Sequence, residues 1–154
     1  MSDNKKILKK PSKKVLIAVV ITAAAAVCIV FAPALMGNKS VSFEILDKKD
    51  IPQSIETDVV PEYRDLERAL GCLIDGKVYV LVTRGEKPTA GYEVTIEEMV
   101  TEKTSKGTNL QVHALFKDPE EGESVAQVST YPYAVALTNL KALPETIELL
   151  VKYQ

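Results

Sequence analysis

The sequence predicts an α+β fold that is mainly antiparallel β, arranged as a small sandwich or open barrel with one short helix, and preceded by a single N-terminal transmembrane helix. Several short segments alternate apolar and polar residues with a period of two, which is the pattern of half-buried strands. Glycine and proline separate these segments, as turns between strands require. An uncharged apolar stretch near the N-terminus predicts the transmembrane helix, and the 154 residues leave room for one domain beyond it.

The uncharged stretch covers residues 15–36. As a helix, its roughly 22 positions would span about 33 Å, which exceeds a hydrocarbon core of about 30 Å. Residues 1–14 contain six lysines and one acid, so we expect them to stay in the cytoplasm and the rest of the chain to lie outside it. The same features describe a long signal peptide, in which case cleavage after Ala34 would make the protein secreted. Lipid attachment at Cys28 is a third alternative, although Val27 stands where a lipoprotein signal has a small residue.

The remainder of the chain is acidic. It carries 13 of the 19 Lys and Arg residues and 20 of the 21 Asp and Glu residues, which gives a formal net charge of −7. This charge repels phosphate backbones, so nucleic acid is not expected as a partner, and membrane contact is expected only through residues 15–36. Cys72 is the only cysteine in this part of the chain, which therefore has no internal disulfide and must be stabilised by its apolar core.

Residues 37–60 are interpreted as a short stalk followed by the first extended segments. Apolar residues alternate with polar ones over 40–46, which predicts a strand. Pro52 argues against a regular helix after that strand, so residues 51–60 are expected to be extended. The β-rich domain is then expected over residues 61–154.

One helix is expected at the start of this domain. Pro61 and Glu62 suit a first helical turn, because proline needs no amide partner there and an acid favours the positive end of the helix dipole. Apolar side chains three and four positions apart give the helix one apolar face as far as about Leu70. Gly71 would end it.

Strands are expected from there to the C-terminus. A hairpin is predicted from Cys72 to Arg84, because Asp75 and Gly76 can supply the positive φ angles of a tight primed turn. In its second strand one face carries Val78, Val80 and Val82, and the other carries Tyr79, Leu81 and Thr83. The remaining expected strands cover 92–99, 110–116, 125–137 and 147–153, and Pro132 makes 125–137 either two strand halves or an edge strand.

The composition gives little support to catalytic or metal-binding chemistry. Zinc sites need several histidine or cysteine ligands, and this part of the chain has only His113 and Cys72. A serine or cysteine hydrolase would have to recruit the same imidazole, and no Gly-x-Ser-x-Gly motif is present. The acidic segment 118–123 lacks the ligand spacing of a calcium loop. We therefore expect no enzyme activity, no catalytic residue, no metal and no cofactor.

Two segments instead combine residues that suit binding. Residues 84–92 join two expected strands through two glycines, a proline and a threonine, which fix backbone shape. Residues 130–133 place two tyrosines around a proline, and tyrosine provides a large contact area at a low cost in entropy. A structural turn and a tyrosine packed in the core are the alternatives for these two segments. The predicted protein-binding residues are Lys87, Pro88, Thr89, Gly91, Tyr92, Tyr131, Pro132 and Tyr133.

The sequence GEKPTAGY at 85–92, followed by a strand and then by QVSTYPY at 127–133, closely resembles the C-terminal domain of the PrcB family of protease complex subunits. The resemblance covers roughly residues 61–133, with Ala90 where many relatives have a second glycine. It implies a noncatalytic subunit that associates with a protease at the cell envelope and stabilises it. Together with the N-terminal segment, it predicts a membrane-anchored, extracytoplasmic protein-binding module.

The first of these segments also resembles the Asn-Pro-Thr-Thr-Gly-Tyr loop of chagasin-type cysteine protease inhibitors, over half a dozen residues. Lys87 stands in place of the asparagine and Ala90 in place of the second threonine. The alternative function is therefore a protease inhibitor that acts through the loop from Lys87 to Tyr92. A hydrolase that uses His113 is a third hypothesis.

Overall fold

Two four-stranded β-sheets pack face to face in residues 38–154, the part of the chain that this computed structural model describes. In chain order the strands are β1 (Lys39–Ser40), β2 (Phe43–Ile45), β3 (Glu67–Ile74), β4 (Lys77–Arg84), β5 (Glu93–Thr104), β6 (Gly107–Lys117), β7 (Tyr133–Thr138) and β8 (Thr146–Tyr153). The first sheet has the order β1-β5-β6-β8 and the second has the order β2-β7-β4-β3. Neighbouring strands are antiparallel except for β6 and β8, which run parallel. The predicted, mainly antiparallel sandwich is confirmed.

The N-terminal predictions lie outside the described residues. They are the cytoplasmic segment 1–14, the transmembrane helix or signal peptide at 15–36, and cleavage after Ala34. Within the described part of the chain, no helix has the length and apolar character needed to cross a membrane.

The main core lies between the two sheets. Strand β6 alternates fully buried and half-buried residues, as the period of two predicts. Its buried residues are Leu110, Val112, Ala114 and Phe116. Val80 and Val82 of β4 pack in the same cluster from the opposite sheet. These two strands therefore form the centre of the sandwich.

A second apolar cluster covers the outer face of the β2-β7-β4-β3 sheet. The chain that covers it, called the helical segment below, consists of a 3₁₀ turn (Lys48–Asp50), a π-helical turn (Ile55–Val59) and the short helix α1 (Val60–Tyr63). Ile55 is fully buried in this cluster together with Tyr79 and Leu81 of β4. Both faces of β4 are thus buried, which explains its nearly continuous apolar sequence.

Two local predictions for this region are wrong. Residues 51–60 are largely helical rather than extended, because Pro52 stands ahead of the first helical turn, where a proline removes no needed hydrogen bond. The helix expected over 61–70 ends at Tyr63, and strand β3 begins at Glu67. Strand β3 pairs with β4 along its full length, and this pairing outweighs the helical spacing of Leu66 and Leu70.

The hairpin between β3 and β4 is confirmed. Asp75 has a φ of 50° and Gly76 a φ of 72°, the positive values that a two-residue primed turn requires. The two strands pair antiparallel from the turn to their far ends. The turn therefore sets the register of both strands.

Residues 37–60 contribute strands to the sandwich. β1 pairs with β5 and β2 pairs with β7, so the chain passes from one sheet to the other between Ser40 and Phe43. Val41 lies at this crossing and is buried in the main core. The crossing leaves only two residues of β1 beside the much longer β5.

Pro132 marks a boundary within region 125–137. Strand β7 begins at Tyr133, and residues 125–131 lead into it as irregular chain with one isolated bridge at Thr130. Only the second of the two expected strand halves is formed. The first half instead takes part in the site described next.

Candidate functional site

A groove of about 700 Å³ opens beside the starts of β5 and β7. Three parts of the chain that are distant in sequence form its walls: the helical segment, the chain that enters β5 and the chain that enters β7. The lining residues are Lys48, Val60 and the adjoining Arg64 from the first part, 90–95 from the second and 129–133 from the third. The fold therefore brings both motifs of the sequence analysis into one concave site.

The two motifs, called the 85–92 loop and the 127–133 segment below, are hydrogen-bonded to each other. Lys87 and Thr130 exchange backbone hydrogen bonds with N to O distances of 2.8 and 2.9 Å. The Thr130 hydroxyl donates to the Thr89 carbonyl at 2.7 Å. The Ala90 amide donates to the Ala126 carbonyl at 3.0 Å. The loop is thus held along its length, and its backbone has little freedom to rearrange.

Gly91 sets the course of the loop where it reaches the groove. Its φ of 91° is a value that residues with side chains rarely adopt. A Cβ at this position would lie 2.9 Å from Pro119 Cβ and 2.9 Å from Val125 Cγ1. Both the backbone angle and the close approach of the neighbouring chain therefore require a glycine here.

Arg84 anchors the base of the loop, and the sequence reasoning did not single it out. Its side chain is 2 % exposed, and Nη1 donates to the carbonyls of Glu93 and Lys117 at 3.2 and 2.6 Å. Nη2 forms an ion pair with Asp118, and the guanidinium carbon lies 5.0 Å from the centroid of the Tyr92 ring. An arginine at the end of an apolar strand was the only signal in the sequence. These contacts make Arg84 a positioning residue for the start of β5.

Arg64 and Tyr131 form an aromatic and cationic pair at the groove. The guanidinium carbon of Arg64 lies 4.2 Å from the centroid of the Tyr131 ring, within the range of a cation–π interaction. Lys48 adds a second cation, and Glu93 is the only acid among the described residues that line the groove. The groove is therefore cationic, although the chain beyond residue 36 has a net charge of −7.

Tyr133 combines packing with a polar contact. Its ring packs against the second apolar cluster, and its hydroxyl donates to the Glu56 carboxylate at 3.4 Å. Partial burial, followed by the charge and hydrogen bond of Glu56, raises the pKa of Tyr133 above its ordinary value. The folded protein therefore favours the protonated phenol, the form that donates to Glu56.

The eight predicted binding residues divide into two groups. Those that line the groove are Gly91, Tyr92, Tyr131, Pro132 and Tyr133. The other three lie beside it: Lys87 and Thr89 form hydrogen bonds that hold the loop, and Pro88 is exposed. Lys48 and Arg64 could not be predicted from the sequence, because only the folding of the helical segment brings them to the groove.

The side chains considered for catalysis lie away from the groove. His113 is half-buried on β6, where its register partners are Glu98 of β5 and Leu150 of β8. Cys72 packs against the second apolar cluster, and burial raises the pKa of its thiol. Within residues 38–154, no group of three or more His, Cys, Asp or Glu side chains is placed to hold a metal ion. The groove itself presents backbone amides, aromatic faces and cations, which are groups suited to recognition.

Comparison with known families finds a match for two of the three parts of the chain that line the groove. Residues 78–139 match the sequence model of the PrcB C-terminal family. The matched range begins in β4 and ends just after β7, so it contains the 85–92 loop, the 127–133 segment and the strands that position them. Comparisons with curated proteins and with solved structures give no match. Residues 78–139 are therefore similar to the C-terminal domain of the PrcB family.

Proposed function

We propose that this protein is a membrane-anchored, extracytoplasmic binding module without catalytic activity, which associates with a cell-envelope protease and stabilises it. The PrcB-like domain supports association with a protease complex, because the resemblance to that family implies such a subunit. The lysines of residues 1–14 and the apolar stretch at 15–36 support anchoring and export of the domain.

The groove is the observation that carries this proposal. Both motifs of the family resemblance meet there, and the residue types at its surface include tyrosines and an arginine, which are enriched at the energetic centres of protein interfaces. The stacking of Arg64 on Tyr131 offers a partner a flat, cationic surface. Such a site favours binding of another protein over chemistry on a small substrate.

The groove is also preorganised for binding. The bonds between Lys87 and Thr130 fix the backbone of one wall, and Arg84 fixes the start of β5. Since these groups are already ordered, the groove would lose little conformational entropy when a partner binds. A rigid binding surface is what a stabilising subunit needs.

Affinity capture with the full-length chain from envelope extracts tests the proposal, with captured proteins identified by mass spectrometry. Arg64→Glu reverses a cation that lines the groove. Arg68→Glu makes the same change at an exposed arginine that lies near Tyr63 and does not line the groove. We expect the wild type and Arg68→Glu to capture the same protease, and Arg64→Glu to lose it. Equal capture by all three chains, each shown to be folded, would refute the groove as the contact surface.

An inhibitor that acts through the 85–92 loop is a second candidate. Pro88 is exposed, while the flanking Lys87 and Thr89 are held by hydrogen bonds to the 127–133 segment. A held loop with an exposed proline could enter the cleft of a protease. The purified chain would then block a cysteine protease at an equimolar dose, and Pro88→Arg would remove the inhibition while Arg64→Glu would not. Full protease activity at that dose would exclude this candidate.

A further inference from the structure

We propose that the groove binds an extended, acidic segment of the partner protein as an added strand beside β5. This inference rests on the proposed binding function and specifies how the partner is held. It draws on three features of the groove: an uncovered strand edge, the direction of the backbone groups on that edge, and the charge of the groove.

The outer edge of β5 is covered along only part of its length. β1 pairs with Val100 and Thr101, and the Val41 amide then donates to the Met99 carbonyl at 2.9 Å. Among the residues that the structure describes, none pairs with the outer edge of β5 between Glu93 and Ile96. That uncovered part is the part of β5 that borders the groove. An uncovered strand edge can take another chain by forming backbone hydrogen bonds.

The contacts of Arg84 show which backbone groups face outward on this edge. Its Nη1 donates to the carbonyls of both Glu93 and Lys117, which are register partners on β5 and β6, so these two carbonyls converge between the strands. Successive residues of a strand direct their amides and carbonyls to opposite sides. Val94 and Ile96 therefore direct their amides and carbonyls away from β6 and toward the open side. Each can form two hydrogen bonds with an added strand.

The irregularity in β5 separates this open edge from the covered one. The register with β6 shifts between Ile96 and Glu98, so one extra residue lies on β5 at that point. On the C-terminal side of this shift, the outer edge of β5 pairs with β1. On the N-terminal side, the outer edge borders the groove. An added strand would thus continue the line of β1 beyond the bulge.

The charge of the groove selects an acidic segment. Lys48 and Arg64 line it, with Glu93 as the only acid among its described lining residues. The chain beyond residue 36 has a net charge of −7, so an acidic segment would be repelled from most of the surface and attracted here. In an added strand, alternate side chains would face the cations of the groove while the backbone pairs with β5.

The test uses peptides selected on the purified full-length chain from a random, displayed octapeptide library. Selected peptides should be rich in Asp and Glu, and hydrogen exchange at the Val94 and Ile96 amides should slow at least tenfold when they bind. Val94→Pro removes one outward amide and keeps the ladder to β6, so it should fold and bind at least tenfold more weakly. Arg64→Glu should also bind at least tenfold more weakly, with Arg68→Glu as the matched control.

N-methylated peptides give a second measurement that does not depend on a variant folding. In a bound peptide, alternate amides face β5 and the others face away from it. Methyl groups on the amides that face β5 should abolish binding, and methyl groups on the other set should leave binding unchanged. The inference is overturned if no peptide is selected, if the peptides are not acidic, or if both methylated sets bind equally. If the Val94 and Ile96 amides are protected from hydrogen exchange in concentrated protein without peptide, the edge pairs with a second copy of the chain. That result would also overturn the inference. If Arg64→Glu fails to capture the protease but the peptide measurements show no added strand, this inference fails and the proposed function still stands.

Discussion

Lys87 and Thr130 are joined by two backbone hydrogen bonds, one in each direction, with N to O distances of 2.8 and 2.9 Å. This pair links the loop before β5 to the chain before β7, which belong to different sheets. The Thr130 hydroxyl adds a third bond, to the Thr89 carbonyl. The two motifs that carry the family resemblance therefore form one structural unit, and a change in either motif should affect the other.

The Thr130 hydroxyl is expected to contribute to this unit. Thr130→Val keeps the β-branched shape but leaves the Thr89 carbonyl without its donor, so the free energy of unfolding should fall by about 1 kcal/mol. Thr101→Val removes a hydroxyl that bonds Lys39 at an exposed position and should change stability by less than about 0.5 kcal/mol. Urea denaturation of both variants measures the difference. Equal losses would show that the bond between the motifs adds nothing.

Gly91→Ala tests the close packing at the entrance of the loop. The new Cβ would stand 2.9 Å from Pro119 and Val125, so we expect a loss of about 2–4 kcal/mol from backbone strain and overpacking together. Gly122→Ala is the matched control, because Gly122 has a similar φ of 85° and no atom within 4 Å of its added Cβ. The control should lose only the backbone part, about 1–2 kcal/mol. Thermal or urea unfolding that ranks the two variants equally would contradict the packing argument.

Much of the sandwich could be predicted from the sequence because its strands keep a strict period of two. Strand β6 shows this best, since Leu110 and Phe116 are buried where the alternation places them. The hairpin turn at Asp75 and Gly76 could be predicted equally well, because its positive φ angles favour those residue types. Strand β3 could not be predicted, since the helical spacing of Leu66 and Leu70 competes with a pairing that depends on β4.

The candidate site could be predicted only where its residues are contiguous. Tyr92 and Tyr131 stand beside glycine and proline in short motifs, so their local sequence marks them. Arg64 and Lys48 carry no such mark, because they reach the groove only when the helical segment folds over the outer face of β4. The role of Arg84 depends on carbonyls of β5 and β6, which no local pattern reveals.

Arg84→Met should be among the most destabilising substitutions at the site. It removes the guanidinium hydrogen bonds to the carbonyls of Glu93 and Lys117 and leaves the Asp118 carboxylate without its partner, so we expect a loss of about 2–4 kcal/mol. Lys152→Met breaks an ion pair with Glu97 in which the lysine is largely exposed, and should cost at most about 1 kcal/mol. Urea denaturation compares them. A loss from Arg84→Met no larger than that from Lys152→Met would contradict the anchoring role.

The raised pKa of Tyr133 predicts a stability that depends on pH. Burial and the Glu56 carboxylate favour the protonated phenol in the folded protein, so its contribution is complete below the ordinary tyrosine pKa of about 10 and is lost as the pH rises through the folded pKa. Wild type should therefore lose more stability than Tyr133→Phe when the pH is raised above about 10. Glu56→Gln should lower the pKa of Tyr133 only in part, because burial is the larger cause. Tyrosine-selective NMR titration measures that pKa, and an unchanged value in Glu56→Gln would disprove the coupling.

The proposed function depends most on the groove being the surface that holds the partner. The direct measurement is the dissociation constant of the captured protease for the wild-type chain, Arg64→Glu and Arg68→Glu, all shown to be folded. We predict that Arg64→Glu weakens binding at least tenfold, which corresponds to about 1.4 kcal/mol, and that Arg68→Glu stays within twofold of wild type. Equal dissociation constants for Arg64→Glu and Arg68→Glu would contradict the account.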